Sequence, residues 1–172
     1  MPGAGKSTIA DGLKSKGHEI ITMGDAVRAE AAKRNLEATA ANLGRLMLDV
    51  REKNGPGAVA ELVKIHIENS KSDTVIIDGI RSNAEINVLR RYGNVKLLAV
   101  HASSETRFGF LLHRNRSDDP STKEKFEERD TRELSVGISN SIALSEEVIN
   151  NNNKTKDELV AAALEKIQHW LK

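Results

Sequence analysis

Apolar positions along the chain recur at two spacings, one helical and one strand-like, and they alternate in order. Ile9, Ala10 and Leu13 share one helical face after Lys6-Ser7-Thr8, and Gly17 closes the run, which predicts a helix from Ser7 to about Lys16. Ile20-Ile21-Thr22 within His18–Met23 is β-rich and predicts a strand. Asp25 is a good N-cap for a helix through Ala29–Arg34. Thr39 can cap a second helix over Ala40–Lys53, with Leu43, Leu46, Met47 and Val50 on its apolar face. Asn54-Gly55-Pro56-Gly57 is a break, and Ala58–Asn69 then reads as a third helix with Val59, Leu62, Val63 and Ile67 inward. Residues 25–70 are thus helical throughout, an insertion between two strands.

Thr74-Val75-Ile76-Ile77-Asp78 is a continuous apolar run ending in an acid, the pattern of a central parallel strand buried on both faces. A helix over Asn83–Arg91, a strand over Val95–Val100 and a helix over Glu105–His113 follow. The charged loop Arg114–Pro120 leads into a highly charged helix, Lys123–Leu134. A short strand, Glu147–Asn150, and an amphipathic helix, Lys156–Leu171, complete the chain. Strands alternating with helices predict an α/β fold on a parallel sheet. At 172 residues the chain is expected to be one domain, 1–172, with a substantial core.

Composition narrows the chemistry. There is no cysteine, which excludes disulfides, thiolate metal sites and cysteine nucleophiles and fits a reducing compartment. The net charge of +1 and the 3% aromatic content argue against nucleic acid as a partner. No apolar run is long enough to span a bilayer, and Gly and Lys stand where the apolar core of a signal peptide would be. A soluble, cytoplasmic protein is expected.

The first eight residues carry the strongest motif. Gly5-Lys6-Ser7 fills the last three places of the phosphate-binding pattern G-x-x-x-x-G-K-[ST]. Glycines let successive N–H groups converge on an anion, and the helix that follows offers its uncapped N–H groups and dipole. Gly3, Ala4, Gly5, Lys6, Ser7 and Thr8 are therefore expected to cradle nucleotide phosphates, with Lys6 reaching the β/γ-phosphates and Ser7 binding Mg²⁺. The pattern's first glycine would fall before Met1, and so would the strand that normally leads into such a loop. Met1 is accordingly expected to be internal to a longer natural sequence. A form extended upstream by roughly 6–10 residues, one strand and a glycine, should bind ATP better and unfold at higher temperature.

Asp78, at the carboxyl end of its strand, is the second candidate for Mg²⁺, beside Ser7. Gly24-Asp25-Ala26-Val27-Arg28 puts an acid and an arginine on one helical turn. Arg28 can grip a phosphate, and Asp25 can cap the helix, contact a ligand, or both. Arg81 follows Asp78 closely enough to face the same cleft. Arg107, His113, Arg114 and Arg116, then Arg129 and Arg132, form a basic set suited to neutralising a moving phosphoryl group; for Arg129 and Arg132 a salt-bridged surface helix explains them equally well. Asn153-Lys154-Thr155-Lys156-Asp157 is one residue too long for the guanine motif N-K-x-D, and no D-x-x-G exists, so a GTPase is rejected. The five histidines lack zinc-type spacing.

These motifs resemble those of the nucleoside monophosphate kinase group. Gly24-Asp25-Ala26-Val27-Arg28 resembles the Gly-Asp-x-x-Arg that opens the acceptor domain of adenylate kinases. Asp78-Gly79-Ile80-Arg81 is similar to their Asp-Gly-Phe-Pro-Arg, with the arginine one residue early. As a whole the chain most closely resembles an archaeal family of adenylate-kinase-related, dephospho-CoA-kinase-like proteins. The motifs that carry this are Met1–Thr8, Ile21–Arg28, Asn42-Leu43-Gly44 with Met47, Arg51–Pro56, Ile76–Ser82 and the segment ending Asp118-Asp119-Pro120. The resemblance implies a three-layer α/β/α P-loop kinase fold on a parallel sheet of about five strands, less the loop's own strand. It implies ATP binding, with 25–70 as the acceptor-binding insertion and 107–132 as a short lid.

Together these readings predict an ATP- and Mg²⁺-dependent phosphotransferase acting on a small nucleotide-like acceptor. Arg28 and Arg81 would bind the acceptor, Arg107 the nucleotide, and Arg114 and Arg116 would close over the transferred group. Asp25 would orient or deprotonate an acceptor hydroxyl. The alternative is an ATP-binding regulatory protein with slow ATPase activity.

Overall fold

The computed structural model describes residues 1–114 and 116–172. Asn115, which the sequence puts in the charged loop, lies outside the described residues. The elements run α1 (Lys6–Ser15), β1 (Glu19–Thr22), α2 (Met23–Lys33), α3 (Ala40–Asn54), α4 (Ala58–Glu61), α5 (Lys64–Glu68), β2 (Val75–Asp78) and α6 (Asn83–Leu89). Then come β3 (Leu98–His101), α7 (Ser104–Arg114), α8 (Lys123–Val136), α9 (Ile138–Ala143), β4 (Glu147–Asn150) and α10 (Lys156–Trp170).

The strands pair in parallel, as the alternation of elements requires. β1 lies on β2 with Ile20 opposite Ile76 and Thr22 opposite Asp78. β3 lies on β4 with Leu98 opposite Glu147 and Val100 opposite Ile149. Alternation along the strands separates two cores. Ile21, Val75 and Ile77 pack with Val27, Leu46, Val59 and Val63 of the helical insertion and with Val88 and Leu89 of α6. Ile20, Ile76, Leu98, Val100 and Ile149 pack with Leu13 of α1 and Leu159, Ala163 and Ile167 of α10. The result is helix, strand and helix layers. α1 and α10 touch intimately: a Cβ on Gly12 would stand 2.4 Å from a Val160 methyl, so only glycine permits the approach.

The sheet departs from the continuous one expected. Among the described residues β1–β2 and β3–β4 are separate two-stranded sheets, with no pairing between β2 and β3. All four β2 residues are only half-buried, not buried on both faces, because one edge of the strand faces a cavity.

Several local expectations also change. α2 begins at Met23 with Thr22 as N-cap, so Asp25 sits inside the first turn and caps nothing. The helix expected over Ala58–Asn69 is two short pieces. Leu62 N–H and Val63 N–H bond three residues back, to Val59 and Ala60, a tightening that ends α4. The β3 strand starts at Leu98, because the Leu97 N–H is held by a Glu146 carboxylate and its carbonyl by Glu146 N–H. After α8, Gly137 takes φ 101° and starts α9, a helix the sequence pattern missed. The caps at Thr39 and Thr155 are present, the latter as a full capping box with Glu158. No helix is long and apolar enough to cross a membrane among the described residues.

Candidate functional site

The loop Met1–Gly5 is bent into a cradle by two glycines in the left-handed region, Gly3 at φ 78° and Gly5 at φ 106°. Close approach also demands glycine at both. A Cβ on Gly3 would lie 2.6 Å from the Arg107 carbonyl oxygen, and one on Gly5 would lie 2.5 Å from Asn151 Nδ2. Between them Ala4 is fully buried, and its carbonyl accepts a bond from Asn151 Nδ2 at 3.0 Å. α1 then starts at Lys6 with no side chain capping its first N–H groups. Those donors remain available to an anion, and Ser7 and Thr8, both half-buried, stand in that first turn.

Lys6 Nζ donates to the Met1 carbonyl oxygen at 2.9 Å. Burial pushes its ammonium down to about 8, only partly offset by the negative charge of Asp78. Asp78 therefore stands near Lys6, at the carboxyl end of β2, as its position in the sequence implied. Among the described residues no three carboxylate or imidazole groups converge on a metal-sized site.

The parallel register places Thr22 beside Asp78, so the turns after β1 and β2 emerge together. Gly79, at φ 110°, packs its Cα face on Met23 and Gly24. Arg28 donates to Asp25 at 2.5 Å on the exposed side of α2. Arg81 turns the other way. Its NH1 lies 2.5 Å from Glu133 of α8, and Glu133 is 3% exposed. Burial alone would raise the Glu133 carboxyl; Arg81 beside it, with Arg129 and Lys6, outweighs that and holds it below the usual carboxylate range.

Three arginines expected to face the moving phosphate are held by carboxylates. Arg107 is a correction: it is buried, paired bidentately with Asp130 at 2.8 and 2.5 Å, bonded to the Pro2 carbonyl at 3.1 Å and stacked 4.9 Å over the Phe126 ring. It is a strut beneath the loop, not a free hand for nucleotide. Arg114 Nε donates to Asp119 at 2.8 Å, and Arg129 reaches both Asp118 and Asp119. The Arg116 side chain is exposed, while its N–H donates to Asp119 at 3.1 Å. Asp118 and Asp119 thus tie the segment before α8 to Arg114 and Arg129.

A second cluster joins Arg81 and Arg132 to two residues to which the sequence pattern assigned no role, Arg51 and Glu85. Glu85, fully buried, accepts from Arg51 at 2.8 Å and from the Arg81 N–H at 2.7 Å, fixing the turn after β2 to α3. Arg132 lies over Gly44, where a Cβ would stand 3.1 Å from its NH1. Arg51 Nε and Arg132 Nε are buried without a hydrogen-bond partner among the described residues. Arg51, Arg81 and Arg132 line one small cavity between the insertion and α8. The sequence signal for Glu133 was its seven-residue offset from Phe126, which puts both on one face of a helix that otherwise reads as charged all round.

The family model described as an AAA domain matches residues 1–127. A UPF0200 protein of Pyrococcus abyssi is 40% identical over 158 residues, covering 89% of this chain and 84% of that one. A UPF0200 protein of Methanocaldococcus jannaschii is 42% identical over 159 residues, covering 91% and 81%. The chain belongs to the UPF0200 family. As a UPF0200 member it has the α/β P-loop kinase-like fold expected from its sequence. TT1252 from Thermus thermophilus shares that fold at a TM-score of 0.65, with 20% identity over 99% of this chain and 94% of that structure. The narrower likeness to adenylate and dephospho-CoA kinases concerns activity, which the family relationship leaves open.

Proposed function

We propose that the chain is a phosphotransferase that moves the γ-phosphoryl group of ATP to a small nucleotide-like acceptor. The observation that carries this is the convergence on Lys6 of α1 of three charged residues: Asp78 at the carboxyl end of β2, Arg81 in the turn just past it and Arg129 of α8. The loop N–H groups and Lys6 would hold the triphosphate, and Ser7 and Asp78 would hold Mg²⁺. An acceptor oxygen attacks the γ-phosphorus, the bond to the β–γ bridging oxygen breaks, and ADP leaves. Asp25 is placed on an exposed turn and would orient the acceptor hydroxyl or take its proton. Arg28 on the exposed side of α2, and Arg81 with Arg51 and Arg132 beside it, would meet acceptor charge. Arg114 and Arg116 would close over the reacting group once phosphate replaces Asp119 as the partner of Arg114, excluding water. Arg107 supports the loop from below.

The discriminating experiment mixes the protein with ATP–Mg²⁺ and a panel of nucleosides, nucleoside monophosphates and dephospho-CoA. ADP release that depends on one acceptor supports transfer. Slow release indifferent to all of them supports the ATP-binding regulator instead.

Two further outcomes are expected. Arg28→Ala should raise acceptor KM about tenfold while leaving the thermal midpoint nearly unchanged, since an exposed ion pair contributes little to stability. An unchanged KM would remove Arg28 from the acceptor site. The second concerns pH. In the free protein Lys6 loses its proton around pH 8, well below its ordinary 10.5. The charged form is thus penalised in the folded state; the penalty is complete below pH 8 and fades as pH rises toward 10.5. A triphosphate restores the charge, so binding at pH 8.5 should take up a proton. Calorimetric titration in two buffers of different ionisation heat reads this directly; equal heats would mean Lys6 does not meet the phosphate.

A further inference from the structure

Between α3 of the helical insertion and α8 lies a cavity of about 10 Å³, room for one water-sized sphere. Arg51, Arg81, Arg132 and Glu133 supply its charged lining, and Met47 and Val136 add apolar side chains. Like charges gathered out of bulk water repel one another, so a space shared by three guanidiniums needs compensation.

The charges of the cluster do not balance. Glu85, fully buried, takes Arg51 at 2.8 Å, and Glu133, 3% exposed, takes Arg81 at 2.5 Å. Arg132 has no carboxylate partner among the described residues, which leaves one positive charge in excess. The charges nearby are taken up elsewhere: Asp118 and Asp119 hold Arg114 and Arg129, and Asp78 stands by Lys6.

The hydrogen bonds do not close either. Arg51 Nε and Arg132 Nε are buried without an acceptor among the described residues. The one carboxylate in the lining is that of Glu133, already against Arg81. A buried charged donor left without an acceptor is costly. A water would accept from these groups and leave the excess charge where it is. Gly44 leaves the space open: a Cβ there would stand 3.1 Å from Arg132 NH1.

We propose that this cavity is a binding site for one halide ion, chloride, taken by the buried Arg51 and Arg132 N–H groups and bridging the insertion to α8. Chloride accepts N–H bonds from every side and supplies the missing negative charge. It is slightly larger than water, and the guanidinium ends can give by that much. Phosphate and sulfate have no room. The phosphotransferase reading turns the same arginines toward acceptor charge, and a bound chloride would hold them in place until that charge arrives.

The test follows the thermal midpoint of the whole chain as chloride replaces gluconate at constant ionic strength. The midpoint should rise by roughly 3 °C and then level off, as one site fills. Sulfate in place of chloride should not reproduce the rise. Arg132→Met removes the excess charge and should abolish the response. A flat midpoint in the parent chain, or an equal rise in Arg132→Met, would mean that the cavity holds water only. Should Arg132→Met fail to fold, Gly44→Ala is used instead. Alanine suits a helix better than glycine, so the helix itself does not suffer, but its Cβ crowds the Arg132 guanidinium and should blunt the response. In crystals grown with bromide, an anomalous peak between Arg51 and Arg132 supports the site, and bromide found elsewhere or nowhere overturns it. None of these readouts involves ATP or an acceptor, so a negative result leaves the phosphotransferase reading standing and a positive one does not establish it.

Discussion

Lys6→Met should lower phosphoryl transfer by about 10²- to 10³-fold while leaving stability unchanged or slightly higher. The two effects are separable because of where Lys6 sits. Its ammonium is desolvated enough to fall to about 8, yet the hydrogen bond it makes is to one carbonyl, that of Met1. Such a charge contributes little to the fold and costs desolvation, so an apolar side chain of similar volume is tolerated. The loss appears when a triphosphate arrives and the positive charge that should meet it is gone. Parallel measurement of turnover and thermal midpoint checks both halves. A variant that turns over normally would remove Lys6 from the site, and a collapse in stability would make it structural.

Glu85→Ala should act in the opposite sense, on the fold first. Glu85 is fully buried and accepts from both the Arg51 guanidinium and the Arg81 N–H. Removing it leaves both donors buried without a partner. Breaking a buried pair in this way costs about 3–5 kcal/mol, a fall in thermal midpoint on the order of 10 °C for a domain of this size. The double change Glu85→Met with Arg51→Met should recover much of that loss, since apolar replacement of a whole buried pair is often neutral. Thermal melts of the single and double variants decide it. If the single variant melts like the parent, Glu85 does not hold the turn that carries Arg81.

These residues also show what the chain reveals of itself in one dimension. The phosphate loop was legible because glycine, lysine and serine at fixed spacing have a direct backbone meaning. The place of Asp78 at a strand end was legible because three apolar residues before it, Val75, Ile76 and Ile77, define the strand it ends. The caps at Thr39 and Thr155 follow from local chemistry alone. Glu85 and Glu133 were not legible: a buried glutamate and a surface glutamate look the same in sequence, and only an arginine from a distant element makes burial tolerable. Arg107 misled for the same reason. It counted as one of several arginines near the lid, but it shares a helix face with Leu111, four residues on, and so turns inward to Asp130. The division of the sheet was equally hidden, because strand periodicity reports which face a residue takes and says nothing about which strands touch.

The most direct test of phosphotransfer follows the terminal phosphorus of ATP. With γ-labelled ATP, Mg²⁺ and the acceptor that best stimulates ADP release, the label should appear in the acceptor, one label for each ADP formed. Label recovered only as inorganic phosphate, at a rate indifferent to any acceptor, would contradict the phosphotransferase account and leave a nucleotide-hydrolysing protein in its place.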